Sequence, residues 1–340
     1  MIRGGVITAR APGRVNLIGD HTDYTGGLVL PMAIDRWTTI RGERGGEEVI
    51  LRSESEPEIA RLPLDVADPQ SVTPRWARYV AGVIAEMRPA VGFVGDVTTT
   101  IPIGAGLSSS AALEVATAVA LGWSGDMLDL ARLCQRAEQR ASGVPCGIMD
   151  QLICAEGSPG GALLIDCDDL TGRKVIVPLP ADVEVVVVHS GESRSLAGSS
   201  YAERVRECAA AEAVIGPLRA ATVGDVIRIE ETVVRARARH VVTENARVRA
   251  FASALEAHDL DTAGQIMDAS HASLRDDYEV STPAVDALTE TLRSRPGVHG
   301  ARLTGAGFGG CVVALCAVGA VRDLGWVVRP TIGASVTRNA

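Results

Sequence analysis

A turn at residues 11–24 concentrates polar side chains between two apolar runs of the sequence. It contains two aspartates and a histidine, Asp20, His21 and Asp23. A carboxylate accepts two hydrogen bonds and a histidine can donate or accept one, so these groups suit the neighbouring hydroxyls of a sugar. Each residue taken singly is more typical of turn capping. Their clustering favours a sugar-binding pocket.

Residues 102–112 form a glycine- and serine-rich segment between a strand pattern and strong helix formers. Glycines let a backbone approach a phosphate closely, and a helix N-terminus adds free N–H groups and a partial positive charge. The segment therefore indicates a phosphate-binding loop. It is neither a Walker A loop, which needs a lysine, nor a dinucleotide fingerprint, because Ser109 replaces the third glycine. The alternative is a serine N-cap with a flexible lead-in.

Residues 305–310 fit the pattern G-x-G-x-x-G, but a strand-like apolar run follows where a dinucleotide site has a helix. The pattern therefore predicts a tight turn between two strands. Such a glycine loop could also close over a phosphate if it lies near residues 102–112 in space.

Asp150 follows a turn that contains glycine and proline, and apolar residues flank it in the sequence. A carboxylate in such a setting needs a partner, or else its pKa shifts. We therefore regard Asp150 as a candidate catalytic base. The alternative is a helix N-cap aspartate without a chemical role.

Arginine makes up almost all of the basic residues, since Lys174 is the only lysine among the 33 lysines and arginines of the sequence. Lys174 lies in a plain polar context, which excludes Schiff-base and Walker lysines. A fixed cation aimed at a phosphate must therefore be an arginine or a metal ion. The net charge of −9 disfavours binding to nucleic acid or to an anionic membrane.

The seven cysteines are scattered without a C-x-x-C pair, so the sequence supports neither a disulfide framework nor a zinc site. No apolar run reaches the roughly 18 residues that cross a bilayer, and neither terminus has the pattern of a targeting segment. The sequence therefore predicts a cytoplasmic location.

Short strand patterns open the chain, and helical patterns follow. We predict strands at residues 6–9, 28–34, 37–41, 49–52, 95–101, 161–165, 175–177, 183–188, 298–304 and 311–318. We predict helices at residues 75–88, 109–121 and 127–142, and then through about ninety residues after Tyr201, with breaks near residues 216, 222, 259 and 281. The apolar run at residues 185–188 is typical of a buried strand. Strands and helices in both halves predict an α+β fold with a domain junction near residues 170–180.

Six segments in order along the chain resemble the galactokinase branch of the small-molecule kinases named for galactokinase, homoserine kinase, mevalonate kinase and phosphomevalonate kinase. They are residues 13–31, 102–112, 146–151, 194–201, 270–283 and 301–315. The resemblance implies a two-domain small-molecule kinase fold, with domains at residues 1–172 and 173–340 and the active site in the cleft between them. It also implies phosphorylation of the anomeric hydroxyl of galactose by ATP, with Mg²⁺ as cofactor.

The resemblance further implies a role for each matching residue. Arg14 would stabilise the transition state, and Asp150 would face the sugar hydroxyl as base or orienter. The scarcity of lysine independently favours Arg14 as the cation at the developing phosphoryl charge. The sugar site would comprise Asp20, His21, Asp23, Gly147 and Tyr201. The nucleotide site would comprise Trp76, Gly104, Ala105, Gly106, Leu107, Ser108, Ser109 and Ser110, with Ser110 and Glu138 as ligands of magnesium.

Two of these assignments rest on the resemblance alone. Without it, Trp76 is equally typical of a core aromatic residue on an amphipathic helix. Glu138 would be assigned by default to a solvated helix face.

Asp20 is a departure, because the galactokinase signature usually has glutamate there, and this leaves the identity of the hexose open. The alternatives are a kinase for N-acetylgalactosamine or another hexose and, in a different class, a non-catalytic sensor of galactose and ATP. A sensor should have lost the phosphate loop or the base, whereas this chain retains Arg14, Asp150 and residues 108–112. The resemblance implies no protein partner.

Overall fold

The computed structural model describes residues 5–170, 174–192 and 197–338, without the side chains of residues 197–199. Its mixture of strands and helices confirms the predicted α+β class. The strands are β1 (Ile7–Asn16), β2 (Leu28–Val29), β3 (Pro31–Arg44), β4 (Glu48–Ser53), β5 (Ala60–Pro63), β6 (Phe93–Thr99), β7 (Ala162–Asp166), β8 (Val175–Val177), β9 (Val183–His189), β10 (Val298–Thr304), β11 (Cys311–Ala317), β12 (Trp326–Val328) and β13 (Ser335–Arg338). The helices are α1 (Ala77–Met87), α2 (Ser109–Leu121), α3 (Met127–Ser142), α4 (Met149–Glu156), α5 (Ala197–Ile215), α6 (Val223–Val226), α7 (Thr232–Glu256), α8 (Leu260–Asp276) and α9 (Pro283–Arg293).

A six-stranded sheet dominates the first half of the chain, in the order β13, β1, β3, β6, β4 and β5. Its strands pair antiparallel except β4 and β6, which are parallel. The predicted strand at residues 37–41 is part of β3, which is 14 residues long. The register of β1 against β3 shifts between Pro12 and Arg14. Such irregularities change the direction of side chains and often occur beside functional sites. Arg14 lies directly at this register shift.

Helix α2 lies at the centre of the first half, in contact with β1, β3, α1, α3 and α4. Nearly all of its residues are buried, because alanine and valine occupy most of its circumference. Its first two residues, Ser109 and Ser110, are only half-buried. The loop before α2 is therefore attached to an element that the core holds firmly, while the helix N-terminus stays accessible.

A four-stranded antiparallel sheet forms the centre of the second half, in the order β10, β11, β9 and β12. Successive side chains of β9 point to opposite faces. Val185 and Val187 pack into the hydrophobic core that the sheet shares with the first half, and Val186 and Val188 pack into the core formed with α5, α7 and α9. The strand is buried on both faces, which confirms the prediction from its continuous apolar run.

The long helical region after Tyr201 is also confirmed, with breaks before α6, α8 and α9 close to the predicted positions. Helices α2 and α3 have the predicted bounds. Helix α4 and the short strands β5, β12 and β13 were not predicted. Helix α4 has only eight residues, and Ile148 at its N-cap provides no side-chain hydrogen bond, so the usual sequence signal of a helix start is missing.

The predicted domain boundary between residues 172 and 173 lies outside the described residues and stays a prediction. Among the helices that the structure describes, none combines the length and apolar character needed to span a membrane.

Candidate active site

A cavity of about 350 Å³ lies between the turn after β1, the loop before α2, the start of α4 and the turn after β10. This volume is in the range of small-molecule sites. Of the predicted site residues, the lining includes Arg14, Asp20, His21, Asp23, Gly104, Gly106, Ser108, Ser109, Ser110, Glu138, Gly147, Asp150 and Tyr201.

Arg14 and Asp150 form a bidentate ion pair at the wall of this cavity. Nε and Nη2 of Arg14 donate to the two oxygens of Asp150, each at 2.7 Å, and Nη1 donates to the Gly106 carbonyl at 2.7 Å. The Arg14 side chain is almost fully buried, whereas Asp150 keeps 30% of its side chain exposed. Burial alone would lower the pKa of Arg14, but the charges of Asp150 and Asp20, together with the hydrogen bonds to Asp150, outweigh it and the pKa is raised. Arg14 is therefore a fixed cation beside an accessible carboxylate.

The loop before α2 presents the features of a phosphate cradle. Gly104 and Gly106 have φ values of 76° and 80°, which favour glycine. A Cβ at Gly104 would meet no other atom within 4 Å, so the backbone there is open to a ligand. Ser108 occupies the N-cap position without a side-chain capping bond, and its hydroxyl instead donates to Asp150 at 2.6 Å. The capping alternative therefore does not describe what this serine does.

Ala105 and Leu107 are buried in the core and do not line the cavity. Their side chains alternate with the exposed or half-buried Gly104 and Gly106, and the Leu107 carbonyl accepts the backbone N–H of Arg14 at 3.1 Å. Any contact that these two residues make with a nucleotide must therefore come from the main chain. Their assignment to the nucleotide site stays a prediction.

Ser110 and Glu138 face each other across the cavity floor, where the Ser110 hydroxyl donates to Oε1 of Glu138 at 3.0 Å. Burial and then the charge of Asp150 raise the pKa of Glu138 to about 7. A nearby divalent cation would reverse this effect and favour the carboxylate. No cluster of three or more histidine, cysteine, aspartate or glutamate side chains that could hold a metal occurs in the described part of the chain. One hydroxyl and one carboxylate fit a magnesium ion that takes its other ligands from phosphates and water.

Asp23 and Gly147 meet at the opposite end of the cavity. A Cβ on Gly147 would lie 1.7 Å from Oδ2 of Asp23, so only glycine fits at this position. Burial and the charge of Asp150 raise the pKa of Asp23 to about 7, although backbone N–H groups of Tyr24 and Met149 donate to its carboxyl and oppose the shift. Asp23 is therefore a carboxyl group whose charge changes near neutral pH.

His21 adopts a left-handed backbone conformation with φ 66°, which is uncommon outside glycine. Its Nε2 lies 3.2 Å from the Ala306 carbonyl and its Nδ1 lies 3.1 Å from the Tyr24 hydroxyl. A carbonyl only accepts, so Nε2 carries the hydrogen. The centroid of the His21 ring lies 5.5 Å from the centroid of the Tyr201 ring, near the start of α5. Histidine and tyrosine together form a polar-edged aromatic wall, which suits the apolar face of a sugar.

Asp20 is held by the turn that follows β10. Its Oδ1 accepts the backbone N–H of Gly305 at 2.8 Å, and its Oδ2 pairs with Nη2 of Arg302 at 2.6 Å. Burial raises the pKa of Asp20 in spite of Arg302. Residues 305–310 connect β10 to β11, which confirms the predicted strand-to-strand turn. The role of this turn at a phosphate stays a prediction.

Three family models match the chain. The galactokinase galactose-binding signature matches residues 3–44, the N-terminal domain of the GHMP kinases matches residues 78–158, and their C-terminal domain matches residues 251–323. Galactokinases of Roseiflexus sp. (strain RS-1) and Homo sapiens are each 44% identical to it over 329 and 328 residues, which cover 91% of this chain and 83% of theirs.

The chain belongs to the galactokinase family. Among solved structures, Lactococcus lactis galactokinase complexed with galactose superposes with a TM-score of 0.87 and 34% identity, over 97% of this chain and 95% of that one. A mevalonate kinase superposes with a TM-score of 0.69 at 21% identity, over 95% of this chain and 98% of that one, which shows a shared fold. The two-domain fold of the small-molecule kinases is thereby confirmed.

Trp76, like Ala105 and Leu107, was expected at the nucleotide site but does not line the cavity. Its indole N–H donates to the Glu58 carbonyl at 3.2 Å, and it packs against the core without lining the cavity. Tyr79, three residues later on the same side of α1, does line it. The position of Trp76 beside adenine stays a prediction.

Four residues at or beside the cavity were not predicted from the sequence. Tyr79 and Gln151 line it, Glu114 accepts a hydrogen bond from Gln151, and Arg302 pairs with Asp20. Arg302 had a usable signal, because an arginine inside an apolar strand needs a buried partner. Glu114 had a similar signal, since it stands in an otherwise apolar helix.

Proposed function

We propose that this chain is a galactokinase, which transfers the terminal phosphoryl group of ATP to the anomeric hydroxyl of galactose and gives galactose 1-phosphate and ADP. The observation that carries the proposal is the ion pair of Arg14 and Asp150, which is bonded to Gly106 and Ser108 of the loop before α2 and lies in one cavity with residues 20–23. Curated relatives at 44% identity are galactokinases.

The two residues of the catalytic pair have different roles: Arg14 provides positive charge, and Asp150 orients the sugar hydroxyl. Arg14 lies between Asp150 and the Gly106 carbonyl, where its guanidinium can stabilise the charge that develops on the transferred group. Asp150 accepts bonds from Arg14 and Ser108, which fix the orientation of its carboxylate. A loose phosphoryl-transfer transition state needs little early proton removal, so Asp150 mainly orients the sugar hydroxyl and takes its proton late.

Nucleotide binding falls to the loop before α2 and the N-terminus of that helix. Backbone N–H groups at residues 104–110 would hold the phosphates, with the partial positive charge of the helix end. Ser110 and Glu138 would hold magnesium together with the ATP phosphates. The bound ion supplies charge neutralisation at the phosphates.

Sugar recognition falls to the other end of the cavity. Asp20, His21 and Asp23 provide hydrogen-bonding groups for the hydroxyls, and Tyr201 provides an aromatic face. Gly147 lets the Asp23 carboxyl approach the sugar. Asp20 stays able to accept a further hydrogen bond, because a carboxylate has about four acceptor positions and the partners among the described residues are Gly305, Arg302 and Asn16.

A substrate panel with coupled ADP detection tests this function. Galactose should give the highest kcat/KM, ahead of N-acetylgalactosamine, glucose and mannose. A preference for N-acetylgalactosamine would replace the substrate assignment with that of a sister kinase. Binding of galactose and ATP without ADP formation would establish a sensor and overturn the kinase proposal.

A further inference from the structure

Glu114 is a buried carboxyl group that neither the catalytic pair nor the sugar site uses. It lies one helical turn after Ser110, so the two side chains share one face of α2. Its side chain is fully buried, and no arginine or lysine in the described part of the chain forms an ion pair with it. Burial, followed by the charge of Glu138, raises the pKa of Glu114 well above its ordinary value.

Gln151 connects Glu114 to the candidate magnesium ligand Glu138. Its Nε2 donates to Oε2 of Glu114 at 3.2 Å and to Oε2 of Glu138, which uses both amide hydrogens. Two buried oxygens then remain without a hydrogen-bond partner among the described residues, Oε1 of Glu114 and Oε1 of Gln151. The carboxyl group of Glu114 and the amide of Gln151, to which these oxygens belong, are already joined by the hydrogen bond from Nε2 to Oε2.

We propose that Glu114 carries a proton and is a positioning residue of the magnesium site. A proton on Oε1 of Glu114 can be donated to Oε1 of Gln151, which gives both oxygens a partner and closes a two-bond ring between acid and amide. The ring fixes which end of the Gln151 amide faces Glu138. Glu138 thereby keeps one oxygen on the amide and the other on Ser110.

This inference rests on the proposed function, because only there are Ser110 and Glu138 ligands of magnesium. Its test therefore uses binding of Mg²⁺ with ADP, measured by calorimetry in the absence of sugar. A parent protein that binds Mg²⁺–ADP but fails to phosphorylate galactose would overturn the proposed function and leave this test intact.

Two substitutions at Glu114 separate a neutral positioning group from a charged ligand. E114Q keeps an amide ring with Gln151, so its Mg²⁺–ADP affinity should stay within about twofold of the parent. E114M fills the space without hydrogen bonds, so the affinity should fall by about tenfold, as for other residues that orient a metal ligand. Equal losses in both variants would show that Glu114 acts as a charged metal ligand and would overturn the proposal. Unchanged affinity in E114M would overturn it as well.

Thr117 provides a matched control, because it is buried on the same helix and its hydroxyl also lacks a partner among the described residues. T117V should leave Mg²⁺–ADP affinity unchanged. If E114M does not fold, Q151M breaks the same ring from the other side and should show the same tenfold loss. A Q151M protein with the affinity of the parent would contradict the proposal.

Infrared spectroscopy detects the proton directly. The difference spectrum of parent minus E114Q at neutral pH should contain the band of a protonated carboxyl group. The bands of an ionised carboxylate in that difference would overturn the proposal, whatever the binding data show.

Discussion

Buried carboxyl groups occur in two regions of this molecule, and the charges around them differ. In the cavity, burial is the main influence on Asp23 and Glu138, and the negative charge of Asp150 adds to it, so both pKa values rise to about 7. Beneath the turn after β1, the side chain of Glu244 on α7 is fully buried, whereas Asp23 and Glu138 are half-buried. Burial alone would raise the pKa of Glu244, but Arg247 leads the neighbouring charges that lower it to about 2.

Both oxygens of the Glu244 carboxylate accept hydrogen bonds from other residues of the fold. Oε1 of Glu244 accepts the Gly19 N–H at 3.1 Å and the Ser270 hydroxyl at 2.6 Å, and Oε2 accepts Nε of Arg247 at 2.6 Å. Arg302 lies between Glu244 and Asp20. This network holds the turn after β1 against the second half of the chain.

Asp23 and Glu138 also accept hydrogen bonds, but no arginine or lysine in the described part of the chain forms an ion pair with either of them. Burial without compensation is costly to stability, and functional sites are where proteins tolerate it. Burial alone therefore does not determine the pKa of a carboxyl group, because neighbouring cations can reverse its effect. Substitutions in the two regions should therefore affect different quantities.

The largest effect should come from D150N, which removes the accessible carboxylate from the cavity. Turnover should fall roughly 100- to 1,000-fold, because the amide cannot take the proton and pairs poorly with Arg14. ATP affinity should change little, since the backbone N–H groups of the loop before α2 are kept and the Ser108 hydroxyl can still donate to the amide oxygen of the variant. Steady-state kinetics and nucleotide titration check this. Turnover close to that of the parent would remove Asp150 from the catalytic pair.

E244Q should lower the free energy of unfolding by about 3 kcal/mol, because it removes the counter-ion of Arg247 and one of the two carboxylates beside the buried Arg302. The exposed Glu256 at the end of the same helix is the control, and E256Q should change stability by less than about 0.5 kcal/mol. Denaturant unfolding measures both. Equal stabilities for the two variants would show that the Glu244 network adds nothing to the fold.

R14K keeps a positive charge but loses the planar fork that meets both oxygens of Asp150. The defect should be about 30-fold and should appear mainly in kcat, because the interaction strengthens as phosphoryl charge develops. A change confined to KM for galactose would instead assign Arg14 to ground-state sugar binding.

The smallest effect should come from D23N on stability. It should raise the free energy of unfolding by about 1 kcal/mol at pH 8, because it removes a buried charge that lacks a cation. Galactose affinity should fall in the same protein. A variant that loses stability at this pH would show that the Asp23 carboxylate is compensated after all.

The sequence predicted the fold better than the contacts within the site. Runs of strong helix formers were enough for α2 and α3, but α4 has no capping signal and was missed. Residue types suggested a cation and a base, yet Arg14 and Asp150 are far apart in the chain, and only the resemblance related them. The pairing of Arg302 with Asp20 depends on how two halves of the chain meet, which local periodicity does not contain.

Asp23 in the cavity and Glu244 beneath it have pKa values shifted in opposite directions, and the pH dependence of stability tests this difference. Between the ordinary pKa of 3.8 and about 7, folded Asp23 keeps a proton that the unfolded chain loses, so parent stability falls as pH rises. Glu244 is ionised in the folded state down to about pH 2, below its ordinary pKa of 4.5, so its contribution is lost as pH falls.

The measurement is the free energy of unfolding of the parent, D23N and E244Q across this pH range. Relative to the parent, D23N should gain stability as pH rises from about 4 to about 7. E244Q should lose stability relative to the parent as pH rises from about 2 to about 4.5, and the deficit should then stay constant. Differences with the same sign in both variants, or without pH dependence, would contradict the account.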